Sequence, residues 1–109
     1  MKLSKRQQLF THDVSRLIDY IFKSGYACTL SEAYRTQEQA NWYAEKGIGI
    51  KNSLHCQRLA IDINLFNSEG DYLSGTEDHR RFGEYWESLS SENRWGGNFN
   101  DGNHYERNK

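Results

Sequence analysis

Apolar residues recur along the first two dozen positions at the spacing of one helical face: Leu9, Phe10, Val14, Leu17, Ile18, Ile21 and Phe22, with charged and polar residues between them. That period predicts an amphipathic helix from just after Ser4 to about Ser24, closed by Gly25 as a C-terminal cap. Tyr26 to Tyr34 is dense in β-formers and small residues and predicts a short strand that ends before Arg35. A second helix follows at once. Thr36 with Gln39 three positions on forms a capping box, and QEQANWYAEK continues helically to the Gly47-Ile48-Gly49 turn.

Beyond Asn52 the period changes. Ser53-Leu54-His55 reads as a loop, and from Leu59 the apolar residues Leu59, Ile61, Ile63 and Leu65 alternate with Ala60, Asp62, Asn64 and Phe66. This is the pattern of a strand, with Asp62 on the face opposite the isoleucines. Asn67 to Asp71 predicts a turn, and Thr76 to about Leu89 a third helix with Phe82, Tyr85, Trp86 and Leu89 on one stripe. The remainder is a loop-rich strand region, running from Arg94-Trp95-Gly96-Gly97 through Asn100-Asp101-Gly102-Asn103 into His104-Tyr105-Glu106. No repeat, low-complexity tract or linker interrupts the 109 residues, so one domain over residues 1–109 is expected. About three helices flanking a small, mainly antiparallel sheet make the predicted fold α+β.

Composition changes this picture only in part. A hydrophobic fraction of 36% and a mean hydropathy of -0.96 are polar, but three Trp, seven Tyr and five Phe supply enough buriable area for a small core. Fourteen basic against fifteen acidic residues remove the electrostatic footprint of a nucleic-acid binder. Cys28 and Cys56 form neither a CxxC pair nor a zinc ribbon, and are expected as reduced, partly buried thiols. Met1 to Phe10 lacks the apolar stretch of ~7–15 residues of a secretory signal, and no later stretch approaches a membrane span. The expectation is a soluble monomer made in the cytosol, with no membrane partner.

Candidate chemistry gathers around two of the four histidines. His12 and His79 lie in predicted helices among charged neighbours and are expected at the surface. His55 and His104 lie in glycine- and asparagine-rich segments beside acidic residues. A catalytic zinc centre takes three nitrogen or oxygen ligands and keeps one position open, so two histidines and one carboxylate suffice, although the same set also suits iron. Asp62 is the best carboxylate by position, because an acid between two isoleucines needs a compensating charge if it is buried. Its other reading is a solvated residue on the outer face of the strand. Asp101, three residues before His104, can bring a second carboxylate near the metal without binding it. Glu106 is its rival for proton transfer, and shares the His104 face, where it could instead orient a ligand or pair with Arg107. Trp42, Tyr43 and Trp86 are expected in the core, and Trp95 as a wall of a substrate groove.

Together, Ser53-Leu54-His55, Ala60-Ile61-Asp62-Ile63, Trp95-Gly96-Gly97 and Asp101-Gly102-Asn103-His104-Tyr105-Glu106 resemble the signature of the D-Ala-D-Ala carboxypeptidase family of zinc peptidases. That family includes D,D-dipeptidases and the L-alanyl-D-glutamate endopeptidases used as bacteriophage endolysins. The resemblance runs from about Leu30 to Glu106, with the motifs in family order. It implies that His55, Asp62 and His104 bind one zinc ion, that Asp101 is the catalytic base, that Arg35 helps bind or polarise substrate, and that Ser53 lies in the substrate site. It further implies a hydrolase of the peptidoglycan stem peptide, acting at the L-alanyl-D-glutamate bond, as a phage or prophage endolysin. Such a protein would be made in the host cytoplasm without a signal peptide and act in the cell wall or periplasm. A D,D-carboxypeptidase or dipeptidase with the same metal site, or a non-catalytic module that binds zinc and wall peptide, are the alternatives. One position departs from the family: many members have glycine three residues after the first histidine, where this chain has Arg58, a bulky cation expected to narrow the cleft or meet an acidic substrate group.

Overall fold

The structure is a computed structural model that describes residues 1–108. Helix α1 spans Leu3–Lys23, α2 Gln37–Glu45 and α3 Thr76–Leu89; strands β1 to β5 span Ala27–Leu30, Ala60–Phe66, Tyr72–Leu73, Asn93–Trp95 and His104–Arg107. The α+β expectation holds. Gly25 and Gly47 adopt the left-handed conformation just past α1 and α2 (φ 86° and 71°), which stops both helices where glycine tolerates the turn. At the start of α2 the Thr36 hydroxyl accepts from the Gln39 amide at 3.0 Å. The first strand is shorter than expected. Only Ala27–Leu30 is strand, and residues 31–36 continue as an irregular segment whose start still bonds to Asp62 of β2. The two-residue β3, which returns from the Asn67 turn onto the end of β2, was not foreseen.

All pairings are antiparallel, in the order β1-β2-β5-β4, with β3 added to β2. The long β2 divides its work. Its C-terminal half pairs with β1 and β3, while Ala60, Ile61 and Asp62 face Glu106, Tyr105 and His104 of β5. Alternation then sorts the two faces. Leu59, Ile61, Ile63, Leu65, Trp95 and Tyr105 turn inward and meet Leu17 and Ile21 of α1 and Phe82 and Trp86 of α3. Asp62, His104, Glu106 and Arg94 share the other face.

Several residues placed at the surface by local pattern belong to this core. His79 is 2% exposed, and its Nδ1 lies 2.8 Å from the Tyr105 hydroxyl. Its polar neighbours in sequence sit on the opposite side of α3, and burial lowers its pKa despite the nearby Asp78 carboxylate. Trp95 is no groove wall: it is 2% exposed, with its indole N–H donating to the Gly102 carbonyl at 2.7 Å. The ring is admitted by glycines. A Cβ on Gly83 would fall 2.1 Å from its Cδ2 atom, and one on Gly97 2.2 Å from its Cη2 atom. Trp86 is fully buried as expected, whereas Trp42 is 49% exposed, because α2 lies at the rim and packs only one side inward. Cys28 and Cys56 are free, partly buried thiols. No helix of the described residues is long and apolar enough to cross a membrane.

Candidate metal centre

Three elements meet at the outer sheet face. Ser53 caps the 3-10 turn Leu54–Gln57, its hydroxyl accepting from the His55 amide at 3.2 Å, and this turn carries the buried His55. The Asp62 and His104 pair follows from the β2–β5 register, in which the two residues are direct partners. The segment after β1 closes over them by backbone bonds, from Ser31 to the Asp62 carbonyl at 2.9 Å and from Arg35 to the His55 carbonyl at 3.2 Å. The 3-10 turn ends at Arg58 in the left-handed region (φ 57°), a conformation that favours glycine. Glycine is the unstrained choice at this position, and Arg58 adopts the same conformation in its place. Contrary to the cleft-narrowing expectation, the Arg58 side chain stacks on Tyr34, 4.0 Å from the ring centroid, and does not line the cleft.

His55 Nε2 lies 3.3 Å and His104 Nδ1 3.1 Å from the same Asp62 oxygen, Oδ1. Ligand atoms of the three residues lie within 4.8 Å of one another. Donors bound tetrahedrally at about 2.0–2.1 Å stand roughly 3.3 Å apart, so the set is spaced for one ion such as zinc. The chemistry of the set agrees, with two imidazoles and a carboxylate at the base of a cleft of about 550 Å³.

The far nitrogen of His104 is also held: Nε2 lies 2.7 Å from Glu106 Oε1. Glu106 does not pair with Arg107. Its other oxygen, Oε2, accepts from Arg94 Nε at 2.7 Å and is ion-paired with Nη2 at 2.6 Å, because Arg94 and Glu106 are cross-strand partners. Burial alone would lower the His104 pKa, but hydrogen bonds and charge from Asp62 and Glu106 outweigh it and hold the imidazole up at about 9. With a carboxylate on each nitrogen, the metal-free ring keeps both protons. Burial opposes ionisation of Asp62 too, yet the two histidines bring its pKa down to about 2. Such placement of a carboxylate behind a ligating histidine is the usual way its orientation and basicity are set.

Asp101 stands outside the donor set, its Oδ2 3.9 Å from His104 Nδ1 and its side chain 52% exposed at the cleft edge. Burial raises its pKa; the histidines and Arg35 oppose this, and the Asp62 charge adds to it. Gly96 makes that position possible, since a Cβ there would lie 2.2 Å from the Asp101 carbonyl oxygen. On the opposite wall Arg35 donates to Glu32 Oε1 through Nε, at 2.9 Å, and through Nη2, and to the Ser53 hydroxyl through Nη1 at 3.3 Å. The structure therefore brings together all six residues singled out from sequence: Arg35, Ser53, His55, Asp62, Asp101 and His104 all line one cleft. Sequence reasoning missed Glu32 and Arg94. The signal for Arg94 is its pairing with Glu106, which only the strand register reveals.

Donors for one divalent ion, an open approach to them and a carboxylate outside the donor set are what a metallopeptidase requires. A sequence profile of the D-alanyl-D-alanine carboxypeptidases matches residues 47–107, and the chain belongs to that family. Among solved structures it is similar to the Serratia marcescens L-Ala D-Glu endopeptidase ChiX, with TM-score 0.70 and 17% identity over 95% of this chain and 84% of that one. It is also similar to a mutant of the vancomycin resistance D,D-pentapeptidase VanY from a VanB-type cassette, in complex with Zn(II), with TM-score 0.62 and 19% identity over 92% and 71% of the two chains. At these identities the likeness is one of fold. No curated protein sequence matches the chain.

Proposed function

We propose that the whole chain is one catalytic unit, a zinc-dependent peptidase of the peptidoglycan stem peptide that hydrolyses the L-alanyl-D-glutamate bond. The observation that carries this reading is the His55, Asp62 and His104 donor set with Asp101 beside it but free of it. A zinc ion bound there supplies Lewis acidity, polarising a carbonyl and lowering the pKa of water toward ~7. Asp101 takes the proton of the attacking water and returns it to the leaving amine, a role that a partly buried carboxylate with a raised pKa suits. Arg35 and Ser53 form the wall on which the scissile carbonyl rests, with the guanidinium held by Glu32 and Ser53 so that its positive charge lies beside the developing negative charge. Glu106 fixes the His104 ring so that Nδ1 faces Asp62.

The fold shared with ChiX supports endopeptidase action. The fold is shared also with VanY, at a lower TM-score, so a D,D-carboxypeptidase is the second reading. An endolysin role, with the protein made in a host cytoplasm and acting as a monomer on the wall, extends the first reading. The deciding experiment is digestion of purified Gram-negative peptidoglycan by the zinc-loaded protein, with mass spectrometry of the products and His104→Ala as control. New N-terminal D-Glu that vanishes in the control is expected. Exclusive release of terminal D-Ala would replace the endopeptidase reading with the carboxypeptidase one, and zinc binding without cleavage would leave only a binding module.

A further inference from the structure

The cleft contains two arginines, and the protein uses them differently. Arg35 is 14% exposed at its side chain, and each of its three nitrogens faces an oxygen of Glu32 or Ser53. Arg94 is 47% exposed, and its commitments lie on one side only. Nε donates to Oε2 of Glu106, and Nη2 forms an ion pair with the same oxygen. A guanidinium carries five N–H donors in a planar fork, so the edge formed by Nη1 and the outer Nη2 hydrogen has no protein partner among the described residues. Glu106, 4% exposed, anchors the group from below, and the Phe99 ring lies 5.2 Å from the guanidinium carbon. Arg94 is thus fixed before any ligand arrives, which spares the side-chain entropy that a free arginine loses on binding.

We propose that Arg94 is a specificity-determining residue that binds a carboxylate of the substrate at the Phe99 side of the cleft. The proposal rests on the peptidase reading above and adds the anionic group that the cleft selects. A planar fork with one open edge matches a carboxylate through two parallel hydrogen bonds. A stem peptide with lysine at its third position carries two such groups, the α-carboxylate left free by a γ-linked D-glutamate and the carboxylate at the end of the chain. Both have the same chemistry.

Four synthetic stem peptides separate the possibilities: α-carboxylate free or amidated, and chain terminus free or amidated. The kcat/KM of the zinc-loaded protein is expected to favour the acid over the amide in one of the two pairs by about 10- to 100-fold, the range of a charged hydrogen-bonded contact. The pair that responds identifies the carboxylate. Arg94→Gln is expected to abolish that preference by raising KM for the acid peptide alone, and Arg94→Lys to keep part of it. Equal losses on acid and amide peptides in Arg94→Gln would overturn the proposal, since they would mean that Arg94 acts only through Glu106 on His104. Absence of any acid preference in the unmodified protein would overturn it as well. Calorimetric binding of the same peptides keeps the two readings apart. Acid-selective binding that Arg94→Gln removes, without turnover of any peptide, would sink the peptidase reading and leave the role of Arg94 standing.

Discussion

Removing the metal should reverse the pH dependence of stability, and the size of the reversal follows from His104. In the metal-free protein its imidazolium is held between Asp62 and Glu106, raising the pKa from 6.5 to about 9. The folded value lies above the unfolded one, so this contribution is complete below pH 6.5 and is lost as pH rises through about 9. Roughly 2.5 pH units at about 1.36 kcal/mol each give about 3 kcal/mol, a sizeable part of the stability of a small domain. Asp62 shares the interaction and is not counted again; its own share is present above pH 3.8 and is lost as pH falls through about 2. Zinc competes with the Nδ1 proton, so metal affinity should rise about tenfold per pH unit below about 9. The assay is urea unfolding in EDTA and in zinc from pH 6 to 10, with His104→Gln to subtract every other titration. Equal metal-free stability at pH 6.5 and 9.5, or a loss that persists in His104→Gln, would refute the argument.

Asp101→Ala should keep zinc and lower kcat by ~10²–10⁴-fold, the usual worth of a general base, read by turnover with metal content measured in parallel. Glu106→Gln should weaken zinc binding by about 10- to 100-fold in a chelator competition, because the His104 ring loses its orienting carboxylate. Gly83→Ala should cost about 3 kcal/mol in urea unfolding, since the added methyl meets the Trp95 indole at 2.1 Å while Gly97 closes on the far end of the same ring. His79 is held neutral by burial, with its folded pKa below the unfolded one, so acid favours the unfolded chain. The fall in stability below pH 6.5 should be shallower in His79→Gln, after correction for any loss at pH 8.

Periodicity alone located α3 to the residue and α1 and α2 within a residue or two, because an amphipathic stripe and its caps are local properties of the chain. The alternation from Leu59 to Phe66 likewise sent Asp62 away from the core, and the order of short motifs pointed to His55, Asp62 and His104 before any coordinates. Other outcomes needed the assembled sheet. Whether the Glu106 carboxylate meets Arg107 or His104 is decided by register, which sets it opposite Arg94 and two residues along from the Asp62–His104 pair. His79 and Trp95 look like surface and groove residues in sequence, and become core only because Tyr105 closes on the first and Gly83, Gly97 and Gly102 on the second. The sequence by itself determined the three helices and the long strand β2, since stripes, caps and alternation depend on residues near in the chain. Only the tertiary structure decided which carboxylate faces which nitrogen and which arginine is left with an open edge, since hydrogen-bond partners are chosen by distances that strand pairing creates.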